Sequence, residues 1–277
     1  MALSFGGSGF SAQKSIDYMS QNKSLMDSSL EKIASGKRIL NGADDSGGLS
    51  VAMKLQNQIN TTNSQQSTVE NAKSYVEAQS TALQSAAGIV AEIQTLKNTY
   101  DTTKSANAAD PLLGTYKSQF QDLRAQLSSL EGETLNGTKL FDRGSDMTVS
   151  NVRLTDLGFH AALEDGGQDL GNLVDTNVTL DNVTTTNLTN IYDKVSGLVT
   201  EAAGDASTLG FASDYLSNMS INLESAHGRI MDVDLAEESA NLAKYSMQYE
   251  AAATAVAQAN VAMGAVLDLL LGSINKD

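Results

Sequence analysis

Asp44 and Asp45 stand side by side in Asn41-Gly-Ala-Asp-Asp-Ser46, and adjacent carboxylates can hold a calcium ion or share a proton in acid–base chemistry. Calcium needs further oxygen ligands at set spacings, and no such spacing follows the pair. Asp44 and Asp45 therefore read as capping residues for a helix that begins near Ser46, where a carboxylate also meets the positive end of the helix dipole. The imidazoles offer no more. His160 and His227 are the only histidines, 67 residues apart, and His227 lacks the nucleophile and orienting acid that catalysis needs, so it reads as a helix-end residue. Gly132-Glu-Thr-Leu-Asn-Gly-Thr-Lys139 approaches a phosphate-binding loop, but its Thr and Lys are in the wrong order and a helix precedes it where a strand belongs. Gly6-Gly-Ser-Gly9 lacks a preceding strand too, and Glu237-Glu238 reads as a solvated or capping pair. With no cysteine anywhere, disulfides, thiolate metal sites and cysteine nucleophiles drop out together. The expectation is a protein that is not an enzyme and carries no cofactor or metal.

The elements that would position these residues are helical. Across 277 residues there is one proline (Pro111), no tryptophan and 5% aromatics against 41% hydrophobic residues, a composition suited to long helices packed through aliphatic side chains. Eighteen Lys and Arg against 33 Asp and Glu give a net charge of -15, which opposes nucleic acid as a partner. The first charge is Lys14 and no apolar run precedes it, so no cleavable secretory signal is expected. Ala251 to Leu267 is uncharged but is mostly alanine with Thr254, Gln258 and Asn260, so no membrane insertion is expected.

Ile16, Met19, Met26, Leu30 and Ile33 form a heptad stripe in a first helix over about Ser11 to Arg38. A second stretch runs from about Ser46 to Tyr100, with a polar middle from Asn60 to Thr68 that needs partners or frays. After a break at Asp101 to Pro111, a shorter helix covers about Leu112 to Leu130. From Phe141 to about Thr185 the texture changes to Gly, Asp, Asn and Thr, with eight acids and two arginines. There Val174, Thr176, Val178 and Leu180 alternate as a half-wet strand should. Helix returns from about Asn187 to His227 and, after a break at Gly228-Arg229, from Leu235 to Leu271. That last helix carries Leu235, Leu242, Tyr249, Val256, Met263, Val266 and Leu270 on one stripe, which demands a long partner of matching period.

The expected fold is mainly α: a long antiparallel helical bundle and a terminal coiled coil with a small β-hairpin or loop insertion. Residues 1–43 with 235–277 would form the coiled-coil domain, 44–141 with 186–234 the bundle, and 142–185 an exposed insertion. Each leucine-sized side chain buried is worth roughly 1.5 to 3 kcal/mol, and two helices alone leave their flanks bare. The ends are therefore expected to complete their core only against neighbouring copies.

The two ends also carry a resemblance. Ser29-Leu-Glu-Lys-Ile-Ala-Ser-Gly-Lys-Arg38-Ile-Leu-Asn-Gly-Ala-Asp44-Asp45 resembles the amino-terminal signature of bacterial flagellins. Glu224-Ser-Ala-His-Gly-Arg229-Ile-Met-Asp232-Val-Asp234 and Ala257-Gln-Ala-Asn260 are similar to their carboxy-terminal one, and Asn136-Gly137-Thr-Lys139-Leu140 to the turn before their hairpin. The resemblance implies a filament subunit that polymerises with itself, located outside the cell in the flagellum. Its terminal helices would line the axis, with Asp44, Asp45 and Arg229 at the breaks between helices. It further implies export through the flagellar channel without cleavage, with an export chaperone, the filament cap and hook–filament junction proteins as partners. Strongly immunostimulatory relatives carry arginines in the helix segment read by the vertebrate innate flagellin receptor. Here Gly88 to Lys97 has none and places Glu92 ahead of Leu96, which implies weak activation. Two rivals remain at this point: a hook–filament junction protein, whose termini resemble flagellin, and a cytoplasmic coiled-coil signalling rod, whose symmetric hairpin the Gly/Asp/Thr insertion would spoil.

Overall fold

The structure is a computed structural model that describes residues 6–141, 147–149, 152–154, 157, 159–163 and 173–274. Its helices are α1 (Gly6–Ser35), α2 (Ser46–Ala106), α3 (Leu112–Glu131), α4 (Phe159–Ala162), α5 (Thr185–Met231) and α6 (Leu235–Ile274). Two small antiparallel pairs lie between α3 and α4: β1 (Thr134–Leu135) with β2 (Thr138–Lys139), and β3 (Met147–Val149) with β4 (Val152–Leu154). The chain is thus mainly α with small hairpins, as its composition predicts.

The long helices hold together for local reasons. Asp45 caps α2 by accepting the Gly48 N–H at 2.8 Å, Thr184 caps α5 by accepting the Asn187 N–H at 3.2 Å, and Asp234 caps α6 by accepting from Ala236 and Glu237 at 2.9 and 3.2 Å. The break expected at Asp101 falls later. Thr102 and Thr103 return their hydroxyls to the carbonyls four residues back, Lys97 reaches Asp101 at 2.8 Å, and α2 runs on to Ala106. Gly228-Arg229 does not break α5 either. Gly228 leaves room for the Asp232 carboxylate, whose Oδ2 would lie 2.7 Å from an added Cβ, and the helix continues to Met231.

Two compact units follow from the contacts, one of residues 1–59 with 222–277 and one of 60–221; the sequence divides instead at 43/44 and 234/235. In the second unit, Val69, Val76, Leu83, Ile93 and Tyr100 of α2 pack with Phe120 and Leu127 of α3 and with Leu188, Val195 and Leu209 of α5. Thr62 in the polar middle of α2 is buried, and Asn63 accepts a hydrogen bond from Ser220 at 2.8 Å, so that stretch has the partner it needs. The β1–β2 turn places Asn136 and Gly137 at φ +52° and +80°, the pairing that a two-residue hairpin favours. Tyr75 and Gln79 of α2 hold the exit of that hairpin by donating to the carbonyls of Lys139 and Leu140.

The segment after Phe141 departs from expectation. Its described residues are not simply exposed: Leu157, Phe159, Leu163, Leu173, Val178 and Leu180 are buried in the core of the second unit, and the Phe141 and Phe159 rings lie 4.8 Å apart. Val174 to Leu180 is turn rather than strand. Arg124 of α3 donates to the carbonyls of Asp175 and Val178 at 2.7 and 3.0 Å, which occupies carbonyl groups that a strand would pair.

Candidate functional site

In the first unit α1 and α6 pack along each other. Gly36 lies against Val233 at one end of the pair, while Ser15, Tyr18 and Asn22 line a cleft with Gln248, Ala252 and Ala255 further along, so the two helices are antiparallel. The face α1 turns inward is Ser15, Met19, Asn22, Met26, Ser29 and Ile33, spaced alternately by four and three residues as a coiled coil requires. Ser29 alone of these is fully buried. Met19, Met26 and Ile33 are half-buried on this face, whereas Ile16 and Leu30 stay 40% and 46% exposed on its flank. Across from them Leu242, Tyr249 and Val256 of α6 are half-buried, while Leu235 and Met263 are 54% and 38% exposed. The side chains of Val266 and Leu270 lie outside the described residues. A pair this long therefore leaves most of its apolar stripe partly wet.

A junction closes the base of the pair. Gly36, at φ +70°, ends α1 in the left-handed turn that glycine adopts without strain. Its carbonyl accepts the Val233 N–H at 3.1 Å, and the Arg38 N–H reaches the Met231 carbonyl. The Arg38 guanidinium caps α5 through the Ile230 carbonyl, at 2.7 Å from Nη2. Arg229, the arginine that sequence places at the break, is exposed in the last turn of α5; the capping falls to Arg38. Asp44 accepts from the backbone of Leu40 and Asn41 at 2.9 and 3.0 Å, and these N–H groups, Leu40 first, hold its carboxyl below 3.8. Asp45 packs so closely that an added Cβ on Gly48 would meet its Oδ2 at 2.3 Å and the Ile39 Cδ1 at 2.9 Å. Below the turn Ile39, Ala52 and Met231 form a small core. Both aspartates are thus spent on backbone N–H groups.

The second unit holds a cluster that sequence reading passed over. Asp181 accepts from Lys104 at 2.7 Å, from Lys117 and from the hydroxyl of buried Tyr100. The lysines, Lys104 first, then Lys117 and Tyr100, hold its carboxyl far below 3.8, and the carboxylate in turn raises both ammonium groups above 10.5. Lys97, Lys104 and Lys117 also approach the Tyr100 ring, at 5.4, 5.4 and 5.8 Å from its centre. No local pattern joins residue 181 to residues 100, 104 and 117, so only a spacing of four between Tyr100 and Lys104 was visible beforehand. The cluster ties the loop before α5 to α2 and α3, and every polar group in it is satisfied, which marks it as a structural tie. In the same unit, Glu92 (exposed) and Leu96 (half-buried) line an open cleft of about 610 Å³ with Ala91, Tyr116 and Leu123.

Comparison with known proteins follows the same two-ended pattern. Residues 10–146 match the bacterial flagellin N-terminal helical region, and 193–270 match the bacterial flagellin C-terminal helical region. The chain is 26% identical to a flagellin of Halalkalibacterium halodurans, over 87% of this chain and 90% of that one. It is 25% identical to a flagellin of Bacillus subtilis, over 94% and 97%. A flagellin of Clostridium tyrobutyricum is 27% identical over 74% of this chain, which spans about half, 51%, of that longer relative.

Proposed function

This chain belongs to the bacterial flagellin family, and on that premise we propose that it works as a filament subunit whose antiparallel α1–α6 pair is the surface through which copies join. It is a structural subunit of the flagellar filament, and its work in motility is mechanical. The observation that carries the proposal about the surface is the half-wet stripe: Met19, Met26, Ile33, Leu242, Tyr249 and Val256 reach only partial burial against each other. A two-stranded pair with Ser29 as its fully buried contact keeps apolar area to lose to water-free packing, and a heterologous contact that does not close on itself grows an open helical filament. The junction at Gly36, Arg38 and Val233 fixes the pair at its base, with Asp44 and Asp45 holding the turn into α2 and Arg229 beside the break.

An escort for α6 before assembly is part of the same proposal, since an apolar stripe held apart from its partners associates wrongly. An export chaperone fills that role during passage to the outside of the cell, and the cap and junction proteins present chain ends to which the same surface can join. The rival of a hook–filament junction protein shares the helical ends and is separated from a filament subunit by abundance in sheared filaments.

Seeded growth tests the proposal. Full-length protein added to filament seeds should elongate them, as seen by electron microscopy, and a form lacking Leu235 to Asp277 should stay soluble and add nothing. Elongation by the shortened form would remove α6 from the joining surface.

A further inference from the structure

The inward face of α1 divides into two rows of unlike chemistry. Met19, Met26 and Ile33 form one, and Ser15, Asn22 and Ser29 form the other, each member seven residues from the next. A polar residue in such a row fixes either the register of the helices or their number, at a cost in stability. Here the whole row is polar, and its deepest member, Ser29, is 2% exposed with no hydrogen-bond partner for its side chain among the described residues. Register is not what the row sets. Sliding α1 by seven residues brings Asn22 to the level of Ser29 and reproduces the pattern, whereas the bonds from Val233 to Gly36 and from Arg38 to Met231 admit one alignment. The number of partners remains, and the members differ in their fitness to control it. Ser29 is already dry, so a further helix changes nothing around it. Asn22 is half-buried and lines an open cleft of about 410 Å³, whose α6 wall is Gln248 with Ala251, Ala252 and Ala255. Its amide, with two donors and an acceptor oxygen, has no partner among the described residues and is left to the water of that cleft.

We propose that Asn22 is a specificity-determining residue of the joining surface: by keeping this cleft wet it holds free subunits apart and reserves joining for a filament end. The inference rests on the reading of the α1–α6 pair as the surface through which copies join. The partner turned away is a second free copy, since a filament subunit meets its own kind. A free copy that covers the cleft strips water from the Asn22 and Gln248 amides in exchange for contact with three alanines, which is unfavourable unless it brings hydrogen bonds of its own. A filament end engages the incoming subunit through several neighbours at once, so the same penalty is outweighed there. Selectivity of this kind comes from making the wrong encounter worse rather than the right one better.

Sedimentation velocity of full-length subunits without seeds tests this, with seeded elongation followed by electron microscopy. The parent should stay single at concentrations that extend seeds. Asn22→Leu makes the cleft apolar and should tighten association of free subunits roughly tenfold or more. Asn22→Ser gives position 22 the residue present at 15 and 29, keeps a polar group, and should sediment as the parent does. Ser29→Ala controls for a stronger pair alone: removing a buried unpaired hydroxyl should slow hydrogen exchange along α1 and leave association unchanged. Asn22→Leu no more associated than the parent overturns the proposal. So does association of Asn22→Ser or Ser29→Ala to the level of Asn22→Leu, or a parent already associated before seeds are added. Should Asn22→Leu fail to fold by circular dichroism, Asn22→Ala removes the amide without adding bulk and decides by the same comparison. A single-subunit parent that extends no seeds is a separate result, which removes the reading of the α1–α6 pair and the inference with it.

Discussion

Replacing Asp181 probes the tie between α2, α3 and the loop before α5. Asp181→Ala leaves the Tyr100 hydroxyl, on a ring only 1% exposed, without its acceptor. Losing a hydrogen bond to a charged group and stranding its buried partner costs about 1.5 to 3 kcal/mol. The ammonium groups of Lys104 and Lys117 are 48% and 46% exposed and turn to water at little cost. A loss of about 2 kcal/mol lowers the melting temperature by roughly 4 to 8 °C for a unit of this size. Asp181→Asn keeps an oxygen for Tyr100 and gives up only charge, so it should fall between parent and Asp181→Ala. The pH dependence follows from the same contacts. Because the folded carboxyl titrates below its ordinary 3.8, its stabilisation is fully present above that value and is lost as the pH falls beneath it. The gap between parent and Asp181→Asn, measured by circular dichroism melts, should therefore be constant near neutrality and close progressively below pH 3.8. Equal melting of the Ala and Asn variants, or a gap unchanged in acid, would refute the account.

Three further outcomes are expected. Phe120, 1% exposed in the second unit, should cost about 3 to 5 kcal/mol on change to alanine, read from urea unfolding. Gly36→Ala forces a side chain onto a φ of +70° and should cost about 1 to 2 kcal/mol at the α1 terminus; faster hydrogen exchange at the Val233 amide would report it, and an unchanged rate would exclude strain there. A receptor-reporter assay should find weak activation, given Glu92 and the lack of arginine from Gly88 to Lys97, and potency equal to that of enteric flagellins would reject this.

Much of the fold was legible because helices advertise themselves by period: the starts at Ser46, Leu112 and Leu235 coincide with those of α2, α3 and α6, each set by residues close in sequence. What escaped was set from a distance. Alternation from Val174 to Leu180 looked like a strand, yet Arg124 claims two of the carbonyls and Asp181 is drawn to Lys104 and Lys117. On α1, apolarity selected Ile16 and Leu30, but the inward face passes through Ser15, Asn22 and Ser29, because a helix apolar on more than one side does not reveal which side its partner takes. Arg38 and Arg229 lie near the same break, and only the fold shows that Arg38 reaches Ile230.

The meeting of Gly36 with Val233 also favours one order of events. Drawing together two points 197 residues apart in a flexible chain costs about 4.7 kcal/mol in the length-dependent part of the closure entropy. Once residues 60–221 have folded and Ser220 has met Asn63, about 40 residues remain in the open loop, and that part falls to about 3.3 kcal/mol. The difference multiplies the chance of encounter by roughly ten. Closing the junction is thus about tenfold easier for a chain whose middle has already folded, which favours an order in which the two ends meet after it.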